Sequence, residues 1–154
     1  MRAILTRVKS ASVTIDGEVV GAIGKGFLIL LGVGPEDTEK ECRCLAEKAL
    51  GLRVFTDEND KMNLGLEAVD GQVLVVSQFT LYGNCRKGRR PSFAEAAGPE
   101  LGEQLYERFL EICTELGYPP QHGRFGADMQ VESINDGPVT LILDTDQLMN
   151  TPRR

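Results

Sequence analysis

Two near-continuous apolar runs, Phe27 to Val33 and Gln72 to Gln78, place the tightest limit on what this chain can fold into. A strand with one wet face carries polar residues at every second position. These runs do not, so both are predicted as strands covered on both faces. Gly26 and Gly34-Pro35 bound the first, and Asp70-Gly71, a hairpin signal, precedes the second. Phe27 to Val33, the longest apolar run, is interrupted by Gly32 and too short to span a bilayer.

The segments around them are more amphipathic. Ala11, Val13 and Ile15 alternate with Ser12, Thr14 and Asp16, and Asp16-Gly17 follows, which predicts a hairpin over Arg2 to Val20. Thr38-x-x-Glu41 is a capping-box pattern opening a helix that Gly51 ends. A short strand is expected near Leu52 to Phe55 and a polar turn over Asp57 to Asp60. Ser92-x-x-Glu95 repeats the capping-box pattern, and a helix from about Pro99 to Leu116 aligns Leu101, Leu105, Phe109, Ile112, Cys113 and Leu116 on one stripe. Two closing strands flank the turn Asn135-Asp136-Gly137-Pro138. The strands are expected to be linked mostly by hairpins, giving an α+β domain over residues 1–150 with a largely antiparallel, barrel-like sheet and two main helices. Asp146 onward reads as loosely ordered, with 151–154 as a tail.

Composition narrows the chemistry. The 154 residues are 42% apolar, enough for one core, and Lys+Arg 17 against Asp+Glu 23 leaves a net charge of -6. Bulk charge therefore attracts neither nucleic acid nor an anionic membrane, and any polyanion must be gripped locally. His122 is the single histidine, which excludes a His-rich metal centre and confines a Ser-His or Cys-His site to its neighbourhood. Cys42 and Cys113 fall on helical apolar stripes, while Cys44 and Cys85 read as free thiols, and no spacing matches a zinc site. The amino terminus has no uninterrupted apolar stretch, so a soluble, cytoplasmic protein without membrane partner, metal or cofactor is expected.

Three segments stand out. Ser77-Gln78-Phe79-Thr80-Leu81 ends a buried strand in groups able to hydrogen-bond, the kind of strand end that meets ligands, although a plain exit turn has the same pattern. Asn135-Asp136-Gly137-Pro138-Val139-Thr140 has a proline where a hairpin ladder wants a donor. Arg86, Lys87, Arg89 and Arg90 put four cations on one glycine-containing loop, read either as a solvated cluster or as a phosphate clamp.

Together with Lys87-Gly88-x-Arg90-Pro91-Ser92-Phe93, Gly123-x-Phe125-Gly126-Ala127-x-Met129, Met1-Arg2-Ala3, Arg7-Val8, Arg53-Val54-Phe55 and Lys61-Met62-Asn63, these segments resemble the D-aminoacyl-tRNA deacylase family over essentially the whole chain. Asn59-Asp60, where glycine is frequent, and Gly65, where serine is frequent, are small departures outside the signature segments.

The resemblance implies a homodimeric esterase that releases D-amino acids, and glycine, from the 3′-terminal ribose of tRNA as chiral proofreading in translation. It further implies a cis Gly137-Pro138 peptide that enters the partner subunit's site. There its carbonyls would accept the amino group of a D-residue and collide with the side chain of an L-residue. The N–H groups around Phe79 and Thr80 would form an oxyanion hole, with Ser77 and Gln78 holding substrate. Thr80 is either a nucleophile or a framing residue, and no histidine or lysine partner stands beside it in sequence. Phe125 would stack on the terminal adenine or pack in the core, and Met129 would line the amino-acid pocket or do likewise. Arg86, Lys87, Arg89 and Arg90 would meet tRNA phosphates. Rival readings are a noncatalytic tRNA- or nucleotide-binding module, and a small-molecule hydrolase with a Thr80 or Cys85 nucleophile.

Overall fold

The computed structural model describes residues 1–150, so the expected tail at 151–154 lies outside the described residues. The chain runs β1 (Arg2–Ile15), β2 (Glu18–Ile23), β3 (Gly26–Gly32), α1 (Glu39–Gly51), β4 (Phe55–Thr56), β5 (Met62–Leu64), β6 (Gln72–Ser77), α2 (Pro99–Glu115), β7 (Gln121–His122), β8 (Gln130–Asp144) and α3 (Thr145–Asn150). Single 3-10 turns occupy Glu67–Val69 and Phe79–Tyr82. β4 and β5 form a separate two-stranded ribbon.

The long strand β1 organises the main sheet. Its first half pairs with β3 and its second half with β2, while β8 runs antiparallel along the opposite edge. Asp16 and Gly17 both have positive φ, 50° and 78°, which is the turn that lets β1 and β2 meet as the alternation predicts. β3, β6 and β7 are mutually parallel, so the sheet is mixed rather than largely antiparallel. The reason lies in the two apolar runs: strands buried on both faces are joined through α1 and α2, not through hairpins. Asp70, the second hairpin signal, instead closes a 3-10 turn in the left-handed conformation and feeds β6 parallel to β3. The sheet curls until β2 touches β7, where a Cβ on Gly21 would lie 2.8 Å from the His122 carbonyl oxygen.

Alternation within the apolar runs builds two cores. Phe27, Ile29, Leu31, Val73 and Val75 face Cys42, Leu45, Ala46 and Ala49 of α1 and Leu105, Phe109 and Ile112 of α2. Leu28, Leu74 and Val76 turn the other way, onto Val8, Ala11, Val13 and Ile23 inside the curl. Burying each such side chain stabilises by roughly 1.5–3 kcal/mol, and the only polar residues of β3 and β6 are Gln72 and Ser77, at the two ends of β6.

α1 begins as expected, with the Thr38 hydroxyl accepting from the Lys40 N–H and the Thr38 N–H donating to Glu41. The second capping pattern starts no helix. Ser92 pairs with Asn84 across the base of a loop, and α2 begins at Pro99 behind Gly98. The segment from Thr145 to Asn150 is helical rather than loose, because Thr145 is buried and bonded to the Met1 carbonyl.

The closing hairpin is also absent. β8 keeps one direction throughout, pairing with β1 both before and after the Asn135–Thr140 segment, and Arg7 alone stands opposite Asp136–Val139. The Gly-Pro turn is thus an outward excursion from a single strand.

Candidate active site

The strand end of β6 is fixed on one side and open on the other. Gln78 leaves the strand, and its N–H donates to the Leu31 carbonyl at 2.7 Å. The chain then tightens into the Phe79–Tyr82 turn, held by Leu81 N–H to Gln78 O at 3.2 Å and Gly83 N–H to Thr80 O at 2.9 Å. The leading N–H groups of a helical turn have no partner within it. Those of Phe79 and Thr80 have none among the described residues. Close packing sets the turn's depth: a Cβ on Gly32 would come within 3.0 Å of Gln78 O and 3.1 Å of Leu81 Cβ, so glycine lets the turn lie flat on β3.

The Gln78 side-chain amide donates to the Thr80 hydroxyl. Among the described residues, no histidine or lysine is hydrogen-bonded to that hydroxyl. Cys85 lies exposed on the basic loop.

Beside the turn lies a cavity of about 360 Å³ lined by Ser77, Phe79, Phe93, Ala96, Ala97, Pro99, Phe125 and Gly126. Phe79 is 56% exposed and meets Phe93 edge to face at 5.2 Å. Phe125 has two sets of neighbours. It lines the cavity and it leans on Tyr106 at 5.9 Å, whose hydroxyl donates to Val75 O at 3.0 Å. Burial pushes the Tyr106 phenol upward, so it remains a neutral donor.

Gly137-Pro138 is a cis peptide. It is exposed and does not line the cavity of its own chain. Arg7 holds the excursion from behind: Nε donates to Asp136 O at 2.8 Å and Nη1 to Val54 O at 2.6 Å, with the side chain buried. Asn135 closes its base, donating to the Thr140 hydroxyl at 2.8 Å and accepting from the Val139 N–H at 2.9 Å.

Met129 packs on the inner core cluster beside Gly123 and does not line the cavity. Arg86, Lys87, Arg89 and Arg90 project on a loop closed by reciprocal Asn84–Ser92 bonds, and none forms an ion pair among the described residues. His122 is exposed in β7. The structure thus gathers Ser77, Gln78, Phe79, Thr80 and Phe125 at one place, and sets Gly137, Pro138, Met129 and the basic loop apart. Sequence reasoning gave no site role to Ala96 or Ala97, nor to Phe93 and Arg7, although both of the latter stand in segments that carry the family resemblance. Arg7 also left a physical signal, a cation beside Val8 in a strand that alternates into the core.

No group of three or more His, Cys, Asp or Glu among the described residues is arranged to hold a metal ion. No described helix is long and apolar enough to cross a membrane.

The family described as D-Tyr-tRNA(Tyr) deacylase matches residues 4–144. The chain belongs to this deacylase family. A D-aminoacyl-tRNA deacylase of Desulfatibacillum aliphaticivorans is 60% identical over 145 residues, covering 94% of this chain and 99% of the relative. The deacylase relative from Geobacter sulfurreducens is 56% identical, covering 94% and 95%. Among solved structures, the c-Myc DNA Unwinding Element Binding Protein superposes with a TM-score of 0.88 at 44% identity, covering 94% of this chain and 98% of that one. A probable eukaryotic D-amino acid tRNA deacylase shares the fold at 18% identity, with a TM-score of 0.81 over 92% of this chain and 97% of its own.

Proposed function

We propose that this chain is a cytoplasmic D-aminoacyl-tRNA deacylase, hydrolysing the ester between a D-amino acid, or glycine, and the 3′-terminal ribose of tRNA. The observation that carries the reading is the pair of unpartnered N–H groups at Phe79 and Thr80, beside an aromatic-lined cavity, in a chain that matches the deacylase family over residues 4–144. In this reading the two N–H groups take the charge that develops on the ester oxygen, worth roughly 10²–10³ in rate for each donor. Ser77 and Gln78 hold the aminoacyl group, Phe125 supports the terminal adenine, and the substrate's own 2′-hydroxyl orients the attacking water. Thr80 frames the site through its N–H, consistent with a hydroxyl engaged by Gln78 and free of any base.

The Gly137-Pro138 excursion serves the partner subunit of a homodimer, where its carbonyls reject L-residues. Its exposure on the outer side of β8 supports this. β8 pairs with β1 alone, and the same strand exposes Val131, Ile134 and Ile142, the last at 74%. A free edge of this length with apolar side chains invites a second copy. The unpaired cations at Arg86, Lys87, Arg89 and Arg90 suit phosphates near the acceptor end on an otherwise acidic protein.

Incubation with D-Tyr-tRNA and L-Tyr-tRNA tests the reading, with selective release of the D-amino acid expected. Equal release, or none, overturns it. A terminal 2′-deoxyadenosine substrate should bind and turn over poorly. Sedimentation should give twice the chain mass, and a monomer that still discriminates would refute the cross-subunit role.

A further inference from the structure

The proposed oxyanion donors sit on a turn only four residues long, so its orientation depends on what grips it from outside. The leading end is pinned by Gln78 N–H to Leu31 O, and the middle lies against Gly32. The trailing end is gripped by one side chain. Arg2, the first residue of β1, donates from Nη1 to the Leu81 carbonyl at 3.1 Å and stacks its guanidinium 4.4 Å from the Tyr82 ring centre. Nε of the same group donates to Asp144 at the end of β8, also at 3.1 Å.

The planar fork makes these three contacts compatible: one edge for the carboxylate, another N–H for the carbonyl and a face for the ring. The carbonyl it engages belongs to the end of the turn that a short helix leaves unsatisfied, so its partner also opposes the local dipole. Burial pushes the Tyr82 phenol upward, leaving a neutral ring beneath the cation.

We infer that Arg2 is a positioning residue for the reaction, holding the Phe79–Tyr82 turn so that the N–H groups of Phe79 and Thr80 point at the developing oxyanion. Arg2 touches neither the cavity nor the basic loop, so it acts on rate rather than on tRNA binding. The inference rests on the reading of those N–H groups as the oxyanion donors.

The test compares Arg2→Ala, Arg2→Lys and Arg108→Ala in the full chain on D-Tyr-tRNA, with melting temperature, kcat and KM measured for each. Arg108 bridges Glu39, Glu111 and Glu115 on the solvent side of the helices, so its loss reports general destabilisation alone. Arg2→Ala should lower kcat by about tenfold to a hundredfold, the effect of a modest misplacement of catalytic groups, with KM changed less than about threefold. Arg2→Lys should recover stability through Asp144 while leaving kcat depressed, because an ammonium cannot stack and fork together. It also serves as the comparison if Arg2→Ala does not fold.

A kcat for both Arg2 variants equal to that of Arg108→Ala overturns the positioning role and leaves the oxyanion reading intact. Phe79→Pro set against Phe79→Ala separates the two. Equal kcat for that pair shows that the Phe79 N–H is dispensable, which removes the oxyanion reading and the role of Arg2 with it.

Discussion

Arg7→Lys is the most informative single change, because Arg7 ties two distant carbonyls together from a buried position. The residue is 8% exposed, and its side chain donates to Asp136 O at 2.8 Å and Val54 O at 2.6 Å. Its ion pair with the Asp136 carboxylate is long, 3.9 Å, so the two carbonyl bonds dominate. A lysine has similar reach but a single ammonium, which satisfies one of the two carbonyls at good geometry. Losing one charge-assisted bond costs about 1.5–3 kcal/mol. At roughly 2–4 °C per kcal/mol for a chain of this size, melting should fall by roughly 3–12 °C. Asn135 still closes the base of the excursion, so the strand pairing survives and the loosened part is Asp136 to Pro138. If that looseness reaches the rejection of L-residues in full, the D-over-L preference should fall about tenfold or more, since 1.4 kcal/mol is a factor of ten. The assay is a thermal melt beside paired deacylation of D-Tyr-tRNA and L-Tyr-tRNA. A lowered melting temperature with an unchanged D-to-L ratio would refute the link between Arg7 and chirality, leaving Arg7 as a brace for the fold.

Thr80→Ala should keep deacylation within about threefold of the parent, whereas loss of a true nucleophile costs about 10⁴-fold or more. Replacing Arg89 and Arg90 with alanine should flatten the salt dependence of tRNA binding by roughly 0.7–0.9 in log-log slope for each phosphate no longer neutralised, with D-over-L preference unchanged; an unaltered slope excludes the clamp. Burial pushes the Cys42 and Cys113 thiols from 9.0 up to about 12. Their folded values lie above the unfolded one, so the stability tied to these neutral thiols is complete below pH 9.0 and is lost as pH rises toward about 12. Urea midpoints measured across that window should fall, and iodoacetamide should label exposed Cys85 while sparing both buried thiols until the chain unfolds.

What sequence made legible here is what local physics decides. Thr38-x-x-Glu41, Asp16-Gly17 and the stripe from Leu105 to Cys113 each carry their structure within one or two turns of chain, and each forms as read. Asp70-Gly71 and Asn135-Asp136-Gly137-Pro138 carry an equally clear local message, and both mislead. The deciding partner is remote: β3 draws β6 in parallel, and β1 pairs with both halves of β8 and prevents a reversal. The same division runs through the site. Its proposed reactive groups are main-chain carbonyls, which every residue has, and main-chain N–H groups, which all but proline have, so composition registers them only as the near absence of histidine. A cation in a buried strand position is a different kind of signal, because a buried guanidinium must find acceptors. Arg7 in β1 therefore announces that some other segment brings carbonyls to it. One is Val54 O, just before β4, and the other comes from β8, which meets Arg7 only by leaving its ladder at Asp136. The irregularity that exposes Gly137 and Pro138 and the burial of Arg7 are two sides of one packing solution, which is why perturbing the arginine is expected to reach the peptide.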